Sequence, residues 1–370
     1  MVVATSLAAA AVLFSVFFVG LALAPPGRFG RVAGAVIASV AAGLGWAGVV
    51  ALARSFGWVT TEEAQFHHLY VLGVVGLPVV GVVIFVASFL RPVKDRRALI
   101  GGRVVAALFV LPAFVGLYAT NIEPQWLQVE RLTVADGGIT VAVVADVQTD
   151  QFGAFEDRVM ERVVAEQPDV IVVPGDITQV PFPEYEALVD DAAASLGILE
   201  APGGVFMISG NTDPGPILMA NLADAAGIAA LDDEVVEFEV DGRTVRILGL
   251  SWPNNLRAEV PEALAAFASG SSESSIDIVV AHSPDVIFNV ESSDGIDLII
   301  TGHTHGGQIQ IPFFGPIWNV TELPRNVAAG GLHEVRGVPL YVSPGIGVQR
   351  GESPKVRFGV RPTIGILDIG

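Results

Sequence analysis

Four long stretches without a single charged side chain limit this chain more than anything else in it. Val2–Ala24, Val32–Ala53, Leu69–Leu90 and Val104–Ile122 are each 19 to 23 residues long. About 20 helical residues cross the hydrocarbon core of a bilayer. Buried helices of soluble proteins rarely run that far without a charge, so the pattern predicts four transmembrane helices over residues 1–122. Pro78 and Pro112 fall inside two of them, which membrane helices tolerate. Ala22-Leu23-Ala24 resembles a signal cleavage site. No Lys or Arg precedes it, however, and the apolar run exceeds a signal core, so an uncleaved span is expected.

The loops set an orientation. Arg28 and Arg31 lie in the first loop, and Arg91, Lys94, Arg96, Arg97 and Arg103 in the third, whereas the second carries Arg54 with Glu62 and Glu63. Positive loops stay cytoplasmic. The expected N-terminus is therefore outside, and four crossings of the plasma membrane put residues 123–370 outside as well. His67 and His68 are expected in the solvated second loop. Trp126 suits either a membrane interface or the start of a packed domain. The spans hold no charged residue, which argues against an ion pathway.

Beyond the spans the composition changes. The chain carries −19 overall, made of +5 over residues 1–118 and −24 over the rest. So acidic a block repels a nucleic-acid backbone, and no nucleic-acid partner is expected. Cysteine is absent, which excludes disulfides, thiolate metal sites and cysteine nucleophiles.

Short apolar runs now alternate with helical periodicity. Ile139–Ala145, a helix over Phe155–Gln167 and Asp169–Val173 form a β-α-β unit. Val205–Ser209, Ile276–Ala281 and Leu298–Thr301 are further strands. Val235–Val240 and Arg243–Leu250 flank the Asp241-Gly242 turn as a hairpin. Val338–Val342 and Thr363–Asp368 close the list, and Pro339 places the former at a sheet edge or the strand at its start. Residues 119–135 are expected to be a linker.

Five of these strands run into side chains that can ligate metal: Asp146 with Gln148, Asp176, Asn211, His282, and His303 with His305. Ligand sites in α/β sheets gather at the carboxyl ends of strands. A single strand-end Asp or His is usually structural, but five in succession make coincidence a poor account. Carboxylate, amide and imidazole together suit Mn, Fe or Zn better than Mg.

Asp146-Val147-Gln148, Gly175-Asp176-Ile177-Thr178-Gln179, Gly210-Asn211-Thr212-Asp213, the lone His282 and Gly302-His303-Thr304-His305-Gly306-Gly307-Gln308 resemble, in order, the motifs of the calcineurin-like metallophosphoesterase superfamily. The last string, with Tyr341–Gly345 and Val356–Pro362, is similar to the membrane-linked or exported phosphodiesterase branch. The resemblance covers about residues 130–370. It implies an α/β fold, a two-sheet αββα sandwich, behind the all-α membrane block. It also implies two divalent metal ions: Asp176 bridging them, Asp146, Gln148 and His305 completing one site, and Asn211, His282 and His303 the other. Two such ions polarise a phosphoryl group and acidify a bridging water, whose hydroxide attacks phosphorus in line. Bound cations also let an acidic domain accept an anionic substrate.

Three positions depart from the family pattern. Gln148 stands where the family has His and is the weaker ligand, with Asp150 two residues on as a substitute. Thr212 stands where the family has a His that assists the leaving group, so Thr212 is the candidate catalytic residue. Gln179 replaces a supporting acid or amide. Asp213 orients its turn or simply closes an Asx turn. His333 and Arg350 lie in late segments that could reach substrate. The function implied is a membrane-anchored phosphoesterase acting on phosphodiesters, the anchor favouring a lipid-linked phosphate. The alternative is a catalytically degenerate scaffold or sensor that keeps the fold.

Overall fold

The computed structural model describes residues 62–90, 96–135, 138–252, 258–272, 274–290, 295–351 and 353–369. It divides into two compact units: Met1–Tyr118 with Glu352–Pro354, and Ala119–Gly351 with Lys355–Gly370.

In the first unit α1 (Glu62–Val71) passes through a π turn, Leu72–Gly76, into α2 (Leu77–Leu90). The antiparallel α3 spans Arg96–Leu117 and includes Pro112. The helices meet where side chains vanish: a Cβ at Gly81 would lie 2.6 Å from the Ala106 carbonyl oxygen. Small residues permit such close approach between apolar helices. Arg103 stacks over Phe89 at 4.3 Å and donates to Ser88. Phe66–Val86 and Leu99–Gln125 are long and apolar enough to cross a membrane. Their most apolar windows are only 17% and 11% buried, unlike a soluble core helix. They coincide with the third and fourth expected spans; those over 2–24 and 32–53 lie outside the described residues. His67 and His68 are not in a loop: α1 begins at Glu62 and carries both, with His68 buried.

The second unit is a two-sheet sandwich. Its first sheet runs β1 (Gln128–Thr133), β14 (Thr363–Ile369), β2 (Ile139–Val143), β3 (Val170–Val173), β4 (Val205–Met207), β5 (Ala229–Ala230). The second runs β12 (Gly331–Val335), β13 (Val338–Val342), β9 (Leu298–Thr301), β8 (Ser275–Ala281), β7 (Arg243–Leu250), β6 (Glu234–Val240), while β10 (Gln310–Ile311) and β11 (Gly315–Pro316) form a separate two-stranded ribbon. Both sheets are mixed: β2 to β5 and β7, β8, β9, β13 are parallel, while β14 opposes β2, β12 opposes β13 and β6 opposes β7.

The central strands are apolar on both faces because both are covered. Val141, Val143, Val170 and Val172 meet Val245, Ile247, Ile278 and Ile300 between the sheets. The outer face of the first sheet, through Ala142, Ile171 and Val173, packs on α4 (Ala154–Ala165), α5 (Phe182–Leu196) and α6 (Pro216–Ala226). The outer face of the second, through Leu248, Val279 and Leu340, packs on α7 (Val260–Ser269). The layers are thus α/β/β/α, as the resemblance implied. One detail differs from the sequence reading, and for Pro339 its strand-start alternative holds. Residues 128–133, inside the expected linker, form β1 because β14 offers them a parallel partner. Pro339 is not on an edge strand: β13 lies between β12 and β9, and the ladder to β9 begins only at Leu340, so the missing N–H is tolerated at the strand start.

Candidate metal centre

The parallel strands β2, β3, β4, β8 and β9 all end at one side of the sandwich, and the next residues turn sharply. Asp146, Gln148, Asp176, His303 and His305 have φ of 49°, 40°, 55°, 70° and 50°. Left-handed backbone is uncommon outside glycine and costs roughly 1–3 kcal/mol per residue, strain that gathers at functional sites. Gly210 and Gly345 make room for the carboxylates. A Cβ at Gly210 would lie 2.2 Å from Asp176 Oδ1, and one at Gly345 2.6 Å from Asp146 Cβ.

Ligand atoms of Asp146, Asp176 and His282 lie within 4.8 Å of one another, and all three residues are buried. His282 Nδ1 faces the Pro174 carbonyl at 2.8 Å, which requires a proton there and turns Nε2 inward. Nε2 then meets Asn211 Oδ1 at 2.9 Å, His303 Nδ1 at 3.1 Å and Asp176 Oδ1 at 3.4 Å. The His303 backbone N–H donates to Asp146 Oδ1 at 3.0 Å. Gln148 Nε2 donates to Asp176 Oδ2 at 3.2 Å and to Gln349 Oε1 at 3.1 Å. Six of the seven expected ligands are therefore linked directly. The seventh, His305, is buried and shares the electrostatic field of Asp176, His303 and His282.

Electron pairs converge here with few protons between them. Asp146 Oδ2, Gln148 Oε1 and both ring nitrogens of His305 are buried and have no hydrogen-bond partner among the described residues. Two carboxylate or amide oxygens and, in a neutral imidazole, one ring nitrogen are orphaned acceptors, which are costly unless something positive meets them. Burial pushes Asp146 up to about 7, with Asp176 adding to the rise and His282 opposing it. Burial opposes ionisation of Asp176 too, but His282 and the Thr212 N–H hold it down at about 2. Burial would also depress His282, yet Asp176 and Asp146 outweigh it and push the imidazole up to about 9. Burial and the charge of His282 push His303 down to about 4, and burial with Arg357 pushes His305 down to about 3. The two aspartates thus favour a positive charge on His282 and not on its two neighbouring imidazoles. The donor set of carboxylates, imidazoles and amides fits divalent transition metals.

The other expected residues have defined places. The Thr212 hydroxyl donates to the Thr178 carbonyl at 2.8 Å, and its backbone N–H donates to Asp176 Oδ1 at 2.9 Å. Asp213 does more than close a turn, accepting backbone N–H bonds from Asp176, Ile177, Thr178 and Gly210. Asp150 turns away into an ion pair with Arg350 and Lys355. Arg350 also donates to the Gln148 carbonyl at 2.6 Å. His333 lies on β12 and bonds to Gly330. Gln179 accepts the Arg350 N–H.

The sequence reading missed three residues. Trp252, just after β7, stacks on His303 with centroids 5.9 Å apart and meets His282 edge-on. Gln349 grips Gln148. Arg357, wholly buried, gives its guanidinium hydrogens to the carbonyls of Gly347, Pro344, Gly345 and Arg361. The available signals were a Trp just after a predicted strand end and, for Arg357, its place inside Val356–Pro362.

The calcineurin-like phosphoesterase family model matches residues 139–307, from β2 through the last pair of histidines. The chain carries a domain of that family. Among relatives, the uncharacterized metallophosphoesterase YkuE of Bacillus subtilis is 27% identical over 68% of this chain and 88% of its own length. Phosphodiesterase YaeI of Escherichia coli is 25% identical over 68% of this chain and 92% of its own length. Among solved structures, Haemophilus influenzae NAD nucleotidase aligns with 59% of this chain and 45% of that one, at 14% identity and a TM-score of 0.40.

Proposed function

We propose that this chain is a membrane-anchored metallophosphoesterase that hydrolyses phosphodiesters with two divalent ions. The observation that carries the reading is the convergence of Asp146, Asp176 and His282 ligand atoms within 4.8 Å, with Asn211 and His303 against His282. Asp176, between the Gln148 and His282 contacts, would serve both ions. Asp146, Gln148 and His305 would hold one, and Asn211, His282 and His303 the other. Divalent ions, when bound, supply Lewis acidity to a phosphoryl group and acidify water.

The chain's own residues do the rest. The carbonyl of Pro174 fixes the His282 tautomer, leaving Nε2 as the ligand atom. Trp252 walls the imidazole pair from one side. Thr212 positions Asp176 through its N–H; its hydroxyl proton is committed to Thr178, so it is not the acid for the leaving group. Substrates with good leaving groups follow from that, and the likeness to a phosphodiesterase supports the diester choice. The anchor supports a substrate held at the bilayer, such as a lipid-linked phosphate.

The test is hydrolysis of bis-p-nitrophenyl phosphate by the full-length protein in detergent with added Mn. Turnover should require the metal and fall by at least about a hundredfold in Asp176→Ala and His303→Ala, since each removes a ligand of the ions that would supply the Lewis acidity. Activity unchanged in both variants overturns the mechanism.

A further inference from the structure

A second cleft of about 390 Å³ opens at the same end of the sandwich as the metal centre but shares none of its ligands. The topology explains its place. β14 opposes β2, with Gly365 opposite Val143, so β14 begins where β2 ends, and β1 begins beside it with Gln128 opposite Thr363. In the other sheet β13 ends beside β9, and β12 starts there with Gly331 opposite Val342. The cleft lies among these ends, lined by Glu123, Gln128, Glu130, Gln310, Gly330 and Arg361 among others.

One of its buried carboxylate oxygens has no donor. Glu123 is 2% exposed, and its Oε2 has no hydrogen-bond partner among the described residues. No salt bridge within 4 Å joins Glu123 or Glu130 to a described cation. Arg361 is committed elsewhere: it donates to the carbonyls of Trp126 and Leu127 at 2.8 and 2.7 Å and stacks over the Trp126 ring. Arg357 lends Glu123 a countercharge, but its donors go to carbonyl oxygens. Glu130 Oε2 accepts from Tyr341 at 3.3 Å. Glu123 Oε2 therefore lacks a hydrogen-bond donor rather than a countercharge.

We infer that this cleft binds a small organic molecule through a primary ammonium group, donated to Glu123 and Glu130. A bare metal ion is a poorer occupant. Ca²⁺ needs 6–8 oxygen ligands, and the one convergent group of three acidic or histidine side chains among the described residues is at the metal centre. The volume falls within the range of small-molecule sites, about 300–1,000 Å³. An ammonium supplies the missing N–H as a charge-assisted hydrogen bond.

The experiment is isothermal titration calorimetry on the full-length protein in detergent, with Mn present so that the metal centre is loaded. Ethanolamine is the probe, and choline and Ca²⁺ are the comparisons. Ethanolamine should bind, and choline, which offers no N–H, should bind about tenfold or more weakly. Glu123→Gln should weaken ethanolamine about tenfold, and Glu130→Gln should weaken it by a smaller factor, with the thermal transition of each variant confirming folding. The inference falls if ethanolamine gives no binding heat, if choline or Ca²⁺ binds as well, or if folded Glu123→Gln binds ethanolamine unchanged. None of these outcomes depends on phosphodiester hydrolysis.

Discussion

Position 148 shows how one side chain is tuned by its neighbours. An amide can present either end to a cation. Here Asp176 and Gln349 both take Nε2, which leaves Oε1 as the free end. Gln349 is itself fixed, because its N–H donates to Gln308 Oε1. Gln349→Ala should therefore weaken Mn binding roughly tenfold, as loss of a partner that orients a ligand commonly does. Gln148→His should tighten it, imidazole being the stronger donor. Calorimetric Mn titration checks both, and equal affinities for wild type and Gln349→Ala would deny the orienting role. Asp213 is a structural counterpart. Its carboxylate is the acceptor for four backbone N–H groups of two motif turns. Asp213→Ala should destabilise the fold by roughly 2–4 kcal/mol, because buried donors lose their acceptor. Asp213→Asn, which keeps one oxygen, should cost less. Denaturant unfolding measures the difference.

At the scale of strands and turns, the site is an end effect: strands stop together and left-handed turns aim the ligands. Gly345 sits in one such turn at φ 68°, packed on Asp146. Gly345→Val should displace Asp146 and reduce bound Mn, read by elemental analysis, while circular dichroism retains the sandwich. Full metal content in that variant would show that the turn can yield. The strand ends were legible because apolar runs stopping at Asp, Asn or His are a local pattern. The hairpin over 234–250 was legible for the same reason. What local pattern could not carry was pairing between distant segments. β1 looks like a linker until β14, over 200 residues later, is placed beside it, and Pro339 leaves β13 either at an edge or starting at the proline until β12 and β9 are placed on its two sides. Gln349 and Trp252 were hidden likewise, since each reaches the site through the fold and not through a motif, and Arg357, although inside Val356–Pro362, shows its contacts to the carbonyls of 344, 345 and 347 only in the folded chain. Thr212 illustrates the reverse. Its position in the motif was readable, but the direction of its hydroxyl depends on the Thr178 carbonyl, which only the folded chain brings near.

For the molecule as a whole, the distribution of charge separates an apolar block at +5 from an acidic domain at −24. In the proposed orientation the basic loops stay inside and the acidic domain faces out. The absence of cysteine makes this directly testable, because every introduced thiol is unique. Ser274 is exposed in the loop before β8, and Arg96 is exposed at the start of α3. In intact cells a membrane-impermeant maleimide should label Ser274→Cys. Arg96→Cys, placed inside by the positive third loop, should react only after permeabilisation. Carbonate washing should leave both variants in the membrane fraction, because helices that bury apolar residues in lipid are not released by charge disruption. Labelling of Arg96→Cys but not Ser274→Cys in intact cells would invert the orientation and put the phosphoesterase domain in the cytoplasm. Release by carbonate would remove the anchor, and with it the argument for a bilayer-held substrate, while leaving the metal centre and its chemistry intact.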